Sequence, residues 1–430
     1  EYNLSKDGKL TVSDLPMGIY ELQEITTLDG LVLDGTKHEV KFEQSDLTTK
    51  VYTVTQDLIN KPTEVEISKK AATGEDEVIG AKMSLFDNDG NKIAEWISSD
   101  KPYMIEGLKV GQKYILKEDL APLGFNLAQD IEFTVSNTDE IQKVKMIDTV
   151  TEVSKVDEQN TLLKGAKLQV VSTKTKQIVD EWTSGDHIFD ITEDIKVQLE
   201  AGETVSDIFV SPDDDSSTLY RIMPNVRTND YTLMLQANGE TTYYNIDLDG
   251  NETAHMIQGL IAGEEYVLRE IQAPNGYATA PEQKFVAGEE EDISLMMIDE
   301  DTKVEISKQD ITTQKELEGA HLQVKDVNGN IVDEWVSGKE PHIIKNLTVG
   351  KTYTLIETIA PEGYKIAQSI QFTIEDTGEV QKIIMYDELL PKKAIKTGDD
   401  KDKYMPLYTF AGVASLLVIM MFMSKKRQKN

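Results

Sequence analysis

The chain has 430 residues, 39% of them hydrophobic, and carries a formal net charge of −33 without a single cysteine. That charge excludes nucleic acid and an anionic membrane surface as ligands of the folded part, and the absent thiols exclude disulfides as a means of stiffening small domains. Length and hydrophobic content suit several modest cores, in roughly two to four domains, rather than one large core.

Residue 1 is Glu rather than Met and no export signal opens the chain, which reads as a fragment whose start lies upstream. Residues 1–61 hold only the back half of a repeated unit: GIYELQEITTLDG brings Glu24, and the run to LINKP brings Asn60. Residues 62–149 open on the strand VEISK and continue with SLFDNDGNKIAEW (84–96), which reads as strand, Asp-Gly turn and strand, a β-hairpin. A turn at GLKVGQKY, a strand ending in Glu118 and a Pro-Gly turn follow.

Residues 150–300 repeat this order around an insertion at about 188–253. The insertion holds IKVQLEA, DIFVSP, YTLMLQANGETTYYNIDLDG and the acidic, Ser-rich SPDDDSS. It reads as extra strands and a long loop, the kind of excursion on which binding surfaces often sit. Residues 301–389 give the unit once more, with QVKDVNGNIVDEW (323–335) as its hairpin and NLTVGKTY as its turn. Period-2 patterning and closely spaced turn signals predict an all-β chain of tandem antiparallel β-sandwiches, about 80–90 residues each. Residues 390–404 read as a linker, and 405–423, MPLYTFAGVASLLVIMMFM, as one uncharged transmembrane helix. The basic tail SKKRQKN (424–430) then stays in the cytoplasm and leaves the rest outside.

Three times a lysine is followed by a glutamate and then an aspartate: Lys69, Glu118, Asp148; Lys155, Glu270, Asp299; Lys308, Glu357, Asp387. Lys and Glu are 49 residues apart in the first and last triplets, and Glu and Asp are 30, 29 and 30 apart in the three. The 115 residues between Lys155 and Glu270 are the common value plus an insertion of 66. The chain is therefore a tandem array of one unit. In the first unit no lysine lies at the required distance before Glu24; Lys6 is only 18 residues upstream.

Side chains at i, i+2 and i+4 of a strand share a face. Val65, Ile67 and Lys69 share one, as do Tyr114, Leu116 and Glu118, and Val144, Met146 and Asp148; the other two units repeat the pattern. All nine ionisable groups thus fall on the apolar side, where such residues are seldom found without partners. Burial lowers the pKa of a lysine and raises those of the acids, giving a neutral amine beside a protonated carboxylic acid with a second carboxyl to move protons. The expected product is a Lys–Asp amide, and its competitor is an unreacted buried salt bridge. Each triplet would react once, so a turnover enzyme is not expected.

VEISK near a unit's start, YxLxE followed by Ala121-Pro122-Leu123-Gly124-Phe125, Ala273-Pro274-Asn275-Gly276-Tyr277 or Ala360-Pro361-Glu362-Gly363-Tyr364, and a closing MxD resemble SpaA-type, collagen-adhesin B-type (Cna B) domains of Gram-positive surface proteins and pilins. The resemblance implies a prealbumin-like Greek-key sandwich with a spontaneous isopeptide bond between Lys and Asp or Asn, assisted by the Glu. Carried over by position, it joins Lys69 to Asp148, Lys155 to Asp299 and Lys308 to Asp387, with Glu118, Glu270 and Glu357 assisting. Glu24 and Asn60 would await a lysine upstream, in a unit with TTLDG where the others have APxGY or APxGF.

The tail is similar to a sortase sorting signal, with AIKTG (394–398) as its motif: cleavage before Gly398 would attach Thr397 to peptidoglycan, although the usual Leu-Pro is missing. The expected protein is a wall-anchored extracellular stalk or adhesin, held in the membrane before sorting. The alternatives are a polymerising subunit bound to other pilus subunits, or an adhesin binding host matrix protein through the insertion. No cofactor or metal is expected. DNDGN, DLDGN and DVNGN lack the Glu that closes a calcium loop. His38, His187, His255, His321 and His342 are too scattered for a zinc motif, and no nucleophile elbow or phosphate loop appears.

Overall fold

The alternation in VEISK becomes the strand Glu64–Ala71, in which Val65, Ile67 and Lys69 are buried and the residues between them only partly so. This is seen in a computed structural model that describes residues 1–43, 52–74, 76–185, 187, 189–210, 217–225, 230–237 and 240–391. The strand lies between Tyr103–Glu106 and Gln142–Asp148 in a three-stranded sheet. Facing it is a four-stranded sheet in the order Lys92–Ile97, Lys82–Asp87, Lys113–Leu120, Ile131–Thr134. Val65, Ile67, Met83, Leu85, Leu116 and Met146 fill the space between, none more than 2% exposed.

Hairpin connections force antiparallel neighbours, and most pairs are antiparallel. The first and last strands of the domain meet without a hairpin and run parallel, with Lys69 opposite Met146 and Ala71 opposite Asp148. In this the sandwich departs from a purely antiparallel one. The same plan recurs around Lys308, where Lys303–Asp310 runs parallel to Val380–Asp387, and around Lys155, where Thr151–Asp157 runs parallel to Ile293–Asp299. At the hairpin tips Asp87, Asp247 and Asp326 accept backbone N–H groups two and four residues on, so their carboxylates close the turns.

The insertion contributes four strands, Val205–Val210, Ser217–Pro224, Tyr231–Ala237 and Glu240–Ile246, and a helix, Glu193–Glu200, that the strand-and-loop expectation did not contain. Through Glu252–Met256 the new strands continue the sheet of Thr151–Asp157 and bring it to seven strands. Parity divides their side chains. Leu233, Ile222 and Ile246 join Leu199 of the helix in a separate small core, whereas Met234 and Tyr243 turn to the opposite face and pack on Val78 and Phe125 of the preceding domain.

Near the N-terminus Gly18–Gln23 pairs antiparallel with Lys37–Phe42. The sorting motif with Thr397 and Gly398, and the apolar run 405–423, lie outside the described residues. Among the described residues no helix is long and apolar enough to cross a membrane.

Candidate cross-linking site

Three side chains meet inside each complete sandwich. Lys69, Lys155 and Lys308 are 3%, 4% and 1% exposed, and their Nζ atoms touch Oδ1 of Asp148, Asp299 and Asp387 respectively. The same Nζ atoms stand 3.1, 3.0 and 3.1 Å from Oε1 of Glu118, Glu270 and Glu357. Lysine and aspartate come from neighbouring parallel strands. The lysine faces a methionine across the ladder and reaches diagonally to the aspartate two residues further on. The glutamate comes from the opposite sheet, at a break in register where Met83 pairs with Glu118 but Lys82 with Leu120.

The loop after the glutamate explains its pose. Phe125, Tyr277 and Tyr364 donate their N–H to the carbonyls of Pro122, Pro274 and Pro361, closing turns of four residues. Gly124, Gly276 and Gly363 occupy the third position at φ of 103°, 92° and 87°, a conformation that favours glycine. The chain then returns so that the N–H groups of Ala128, Ala280 and Ala367 donate to Oε2 of the glutamates, at 2.7, 2.7 and 2.6 Å. These three alanines escaped the sequence reading. Their signal is a constant offset of ten residues from each glutamate, at positions whose side chains carry no chemistry.

Burial pushes the Asp148 carboxyl well above the usual carboxylate range; the Lys69 charge pulls it back and Glu118 pushes it further up. The same cause raises Asp299 to about 7, against the pull of Lys155. Glu357 is also raised, again by burial first. Oδ2 of each aspartate is buried without a hydrogen-bond partner, and Oε1 of each glutamate has only the lysine charge beside it. Such orphaned oxygens are costly as carboxylates, and the cost falls if a proton is held there or if the charges are removed by condensation. The arrangement sets an amine against an acid carbon in a dry pocket with a second carboxyl in reach of both.

Near the N-terminus Asn60 donates to Glu24 Oε1 at 2.7 Å and to Thr27 Oγ1 at 2.6 Å. Asp34, again ten residues on, donates its N–H to Glu24 Oε2 at 2.9 Å. TTLDG makes the same turn without proline: Leu31 N–H donates to Leu28, with Gly30 at φ 85°. The turn requires its glycine, and Leu28 takes the place of the proline.

Two of the scattered histidines serve the fold. His255 and His342 stack on Trp182 and Trp335 with ring centroids 4.2 Å apart in both cases, and pair with Asp180 and Asp333 at 3.0 and 2.8 Å. His255 also meets Glu252 at 3.1 Å, and Glu252 meets His187 at 3.0 Å.

A sequence family described as SpaA, a prealbumin-like fold domain, matches residues 1–57, 63–150 and 302–389, together more than half of the chain. The stretch between the last two matches is the one whose repeat the insertion interrupts. A search of curated proteins finds no match. Among solved structures the chain is similar to the Bacillus anthracis TIE protein, at 20% identity and a TM-score of 0.26, covering 82% of this chain and 54% of that one. The chain thus spans about half the length of that protein. It is also similar to BcpA, the major pilin subunit of Bacillus cereus, at 16% identity and a TM-score of 0.22, covering 76% of this chain and 99% of that one. For the shaft pilin SpaA of Lactobacillus rhamnosus GG the values are 16% and 0.22, with 55% and 96% covered. On the strength of its three matched segments, the chain belongs to the SpaA prealbumin-like fold domain family.

Proposed function

We propose that this chain is a stalk on a Gram-positive cell surface whose three complete domains, near residues 62–149, 150–300 and 301–389, are each stapled by an isopeptide bond. The bonds join Lys69 to Asp148, Lys155 to Asp299 and Lys308 to Asp387. The observation that carries this reading is the direct contact of each buried lysine Nζ with its aspartate, with a glutamate oxygen about 3 Å away.

Burial favours the neutral pair over the ion pair. The amine lone pair attacks the aspartate Cγ, the N–C bond forms, the glutamate carries a proton from nitrogen to the departing oxygen, and one water leaves. Each site is consumed in a single turnover. Residues 1–61 supply Glu24 and Asn60 to a further domain whose lysine would be contributed from upstream. At the other end Thr397, freed from Gly398 by a sortase, would join the stalk to peptidoglycan, with 405–423 holding the chain in the membrane until then.

Intact mass of the full chain tests the staples. Three waters fewer than the sequence requires is the expected result, and a mass equal to the sequence would sink the reading. A wall extract in which the chain runs as a ladder of covalent multimers would instead identify a polymerising subunit.

A further inference from the structure

The three complete domains differ where the lysine strand ends. Two residues past the lysine stand Asp157 and Asp310 in the later domains but Ala71 in the second, and seven residues past the glutamate stand Tyr277 and Tyr364 but Phe125. In the last domain the Tyr364 hydroxyl donates to Asp310 at 2.9 Å, and Tyr277 feels the charge of Asp157. The second domain has no such polar closure. Its end is an apolar surface of Ala71, Val78, Ile79, Ala121 and Phe125, and this is where the insertion of the third domain rests.

The contact is specific. The Tyr243 hydroxyl lies 3.3 Å from both the N–H and the carbonyl of Ile79, and its ring meets Phe125 edge-on with centroids 4.8 Å apart. Backbone groups pair across the junction as in a sheet: Leu123 N–H donates to Thr241 at 3.0 Å, and Tyr243 N–H to Leu123 at 2.9 Å. Gly124, which shapes the loop that orients Glu118, is so close that a Cβ there would lie 3.0 Å from the Tyr243 carbonyl. Val78, under Tyr243, donates its N–H to the carbonyl of Lys69 at 2.7 Å. Asp148 is among the charges that act on the Tyr243 phenol, whose pKa burial pushes up to about 12.

We infer that the insertion is a lid on the neighbouring domain's cross-linking site: by covering the Ala71–Phe125 end it keeps water from Lys69 and Asp148, and the second domain's bond closes at full rate only once the third domain has docked. This rests on the isopeptide reading and makes Tyr243 and Met234 positioning residues for a reaction in which they take no direct part.

The test uses the full chain, recovered unbonded from denaturant and refolded by dilution, with the three bonds followed separately by mass spectrometry of protease digests. Met234→Ser with Tyr243→Ser opens the docked face from the insertion side, with closure of Lys155–Asp299 reporting that the third domain has folded. It should slow the Lys69–Asp148 bond by about tenfold or more, the effect of roughly one pKa unit at Asp148, while the other two bonds keep their rates. The pH above which the bond forms slowly should also move toward acid, because a wetter Asp148 deprotonates earlier; a merely structural role would not move it. Adding Ala71→Asp with Phe125→Tyr to that variant supplies the closure that the later domains carry and should restore the rate. An unchanged rate and pH profile for the second domain's bond in the Met234/Tyr243 variant overturns the lid and leaves the staples standing. Absence of all three bonds from the unaltered chain overturns both.

Discussion

At each site the glutamate divides its two oxygens between tasks. Oε2 is fixed by the N–H of the residue ten positions on, and Oε1 is left facing the lysine. Glu118→Ala should therefore leave the fold recognisable and prevent only one bond, so that intact mass lies two waters rather than three below the variant's own sequence mass while the other two bonds still form. The open second domain loses a cross-link between residues 79 apart in sequence. By the loop-closure arithmetic used for disulfides that is about 4–5 kcal/mol of stability, and a separate, lower melting transition should report it. The aspartate titration adds a pH signature. Asp299 is raised from 3.8 to about 7, so in the unbonded fold it holds a proton that the unfolded chain has released. Stability of the open third domain should then fall as pH rises from about 4 through about 7. Bond formation should slow above about 7, where the carboxylate is no longer an electrophile. Refolding unbonded chain across this range and counting third-domain bonds checks both signs.

The elements that matter most are the glycine turns and the strand that carries His255. Gly363 has φ 87° and open space where a Cβ would stand, whereas Gly124 has φ 103° and the Tyr243 carbonyl 3.0 Å from that position. Gly363→Ala should cost about 1–2 kcal/mol through backbone strain alone. Gly124→Ala should cost more and also weaken the junction, a difference that thermal melts of the two variants will show. His255 joins the strand Glu252–Met256 to Asp180 on the facing sheet. Burial lowers its pKa, but hydrogen bonds to Asp180 and Glu252 outweigh burial and hold it above the ordinary value of 6.5. Burial raises the pKa of Glu252, but His255 and His187, whose ring also meets it, together outweigh burial and keep it below the ordinary value. A raised histidine stabilises below its unfolded pKa, and that stability is lost as pH rises through the folded one. The third domain's melting temperature should accordingly drop on the alkaline side of about 6.5, and His255→Gln should flatten that drop.

For the whole molecule the parallel pairing decides how load is carried. Tension entering a domain at its first strand and leaving from its last shears two parallel neighbours, and a bond between Lys69 and Asp148 would carry that shear through side chains. Successive bonds are only 7 positions apart along the chain from Asp148 to Lys155 and 9 from Asp299 to Lys308. Single-molecule stretching of the bonded chain should show no unfolding of the three complete domains. Glu118→Ala should release one step of about 270 Å, from 79 residues at extended spacing. The junctions should also differ. The second and third domains share an apolar cluster in addition to polar contacts such as Leu127 N–H to the Leu260 carbonyl at 2.8 Å. The third and fourth meet through polar contacts, such as Thr302 N–H to the Gly276 carbonyl at 3.0 Å and Thr279 N–H to Asp376 at 2.7 Å.

Strand parity is local, so the inward placement of Lys69, Glu118 and Asp148 and the hairpins at Asp87 and Asp326 could be read from neighbouring residues, and the repeat multiplied that signal by three. The β-sandwich class followed from the same periodicity. Other features depend on residues far apart in the chain. Which strands pair, and in which direction, is settled when first and last strands meet across a whole domain, and that register alone brings each lysine onto its aspartate with the glutamate opposite. The insertion read as strands and a loop open to ligands; in its helix, Glu193–Glu200, the apolar Ile195, Val197 and Leu199 alternate at the spacing of a strand, and both faces of its sheet are covered, one by that helix and one by the second domain. The Ala71 and Phe125 substitutions were visible in the sequence, but only the docked Tyr243 gives them meaning, because an apolar patch acquires a role from what buries it.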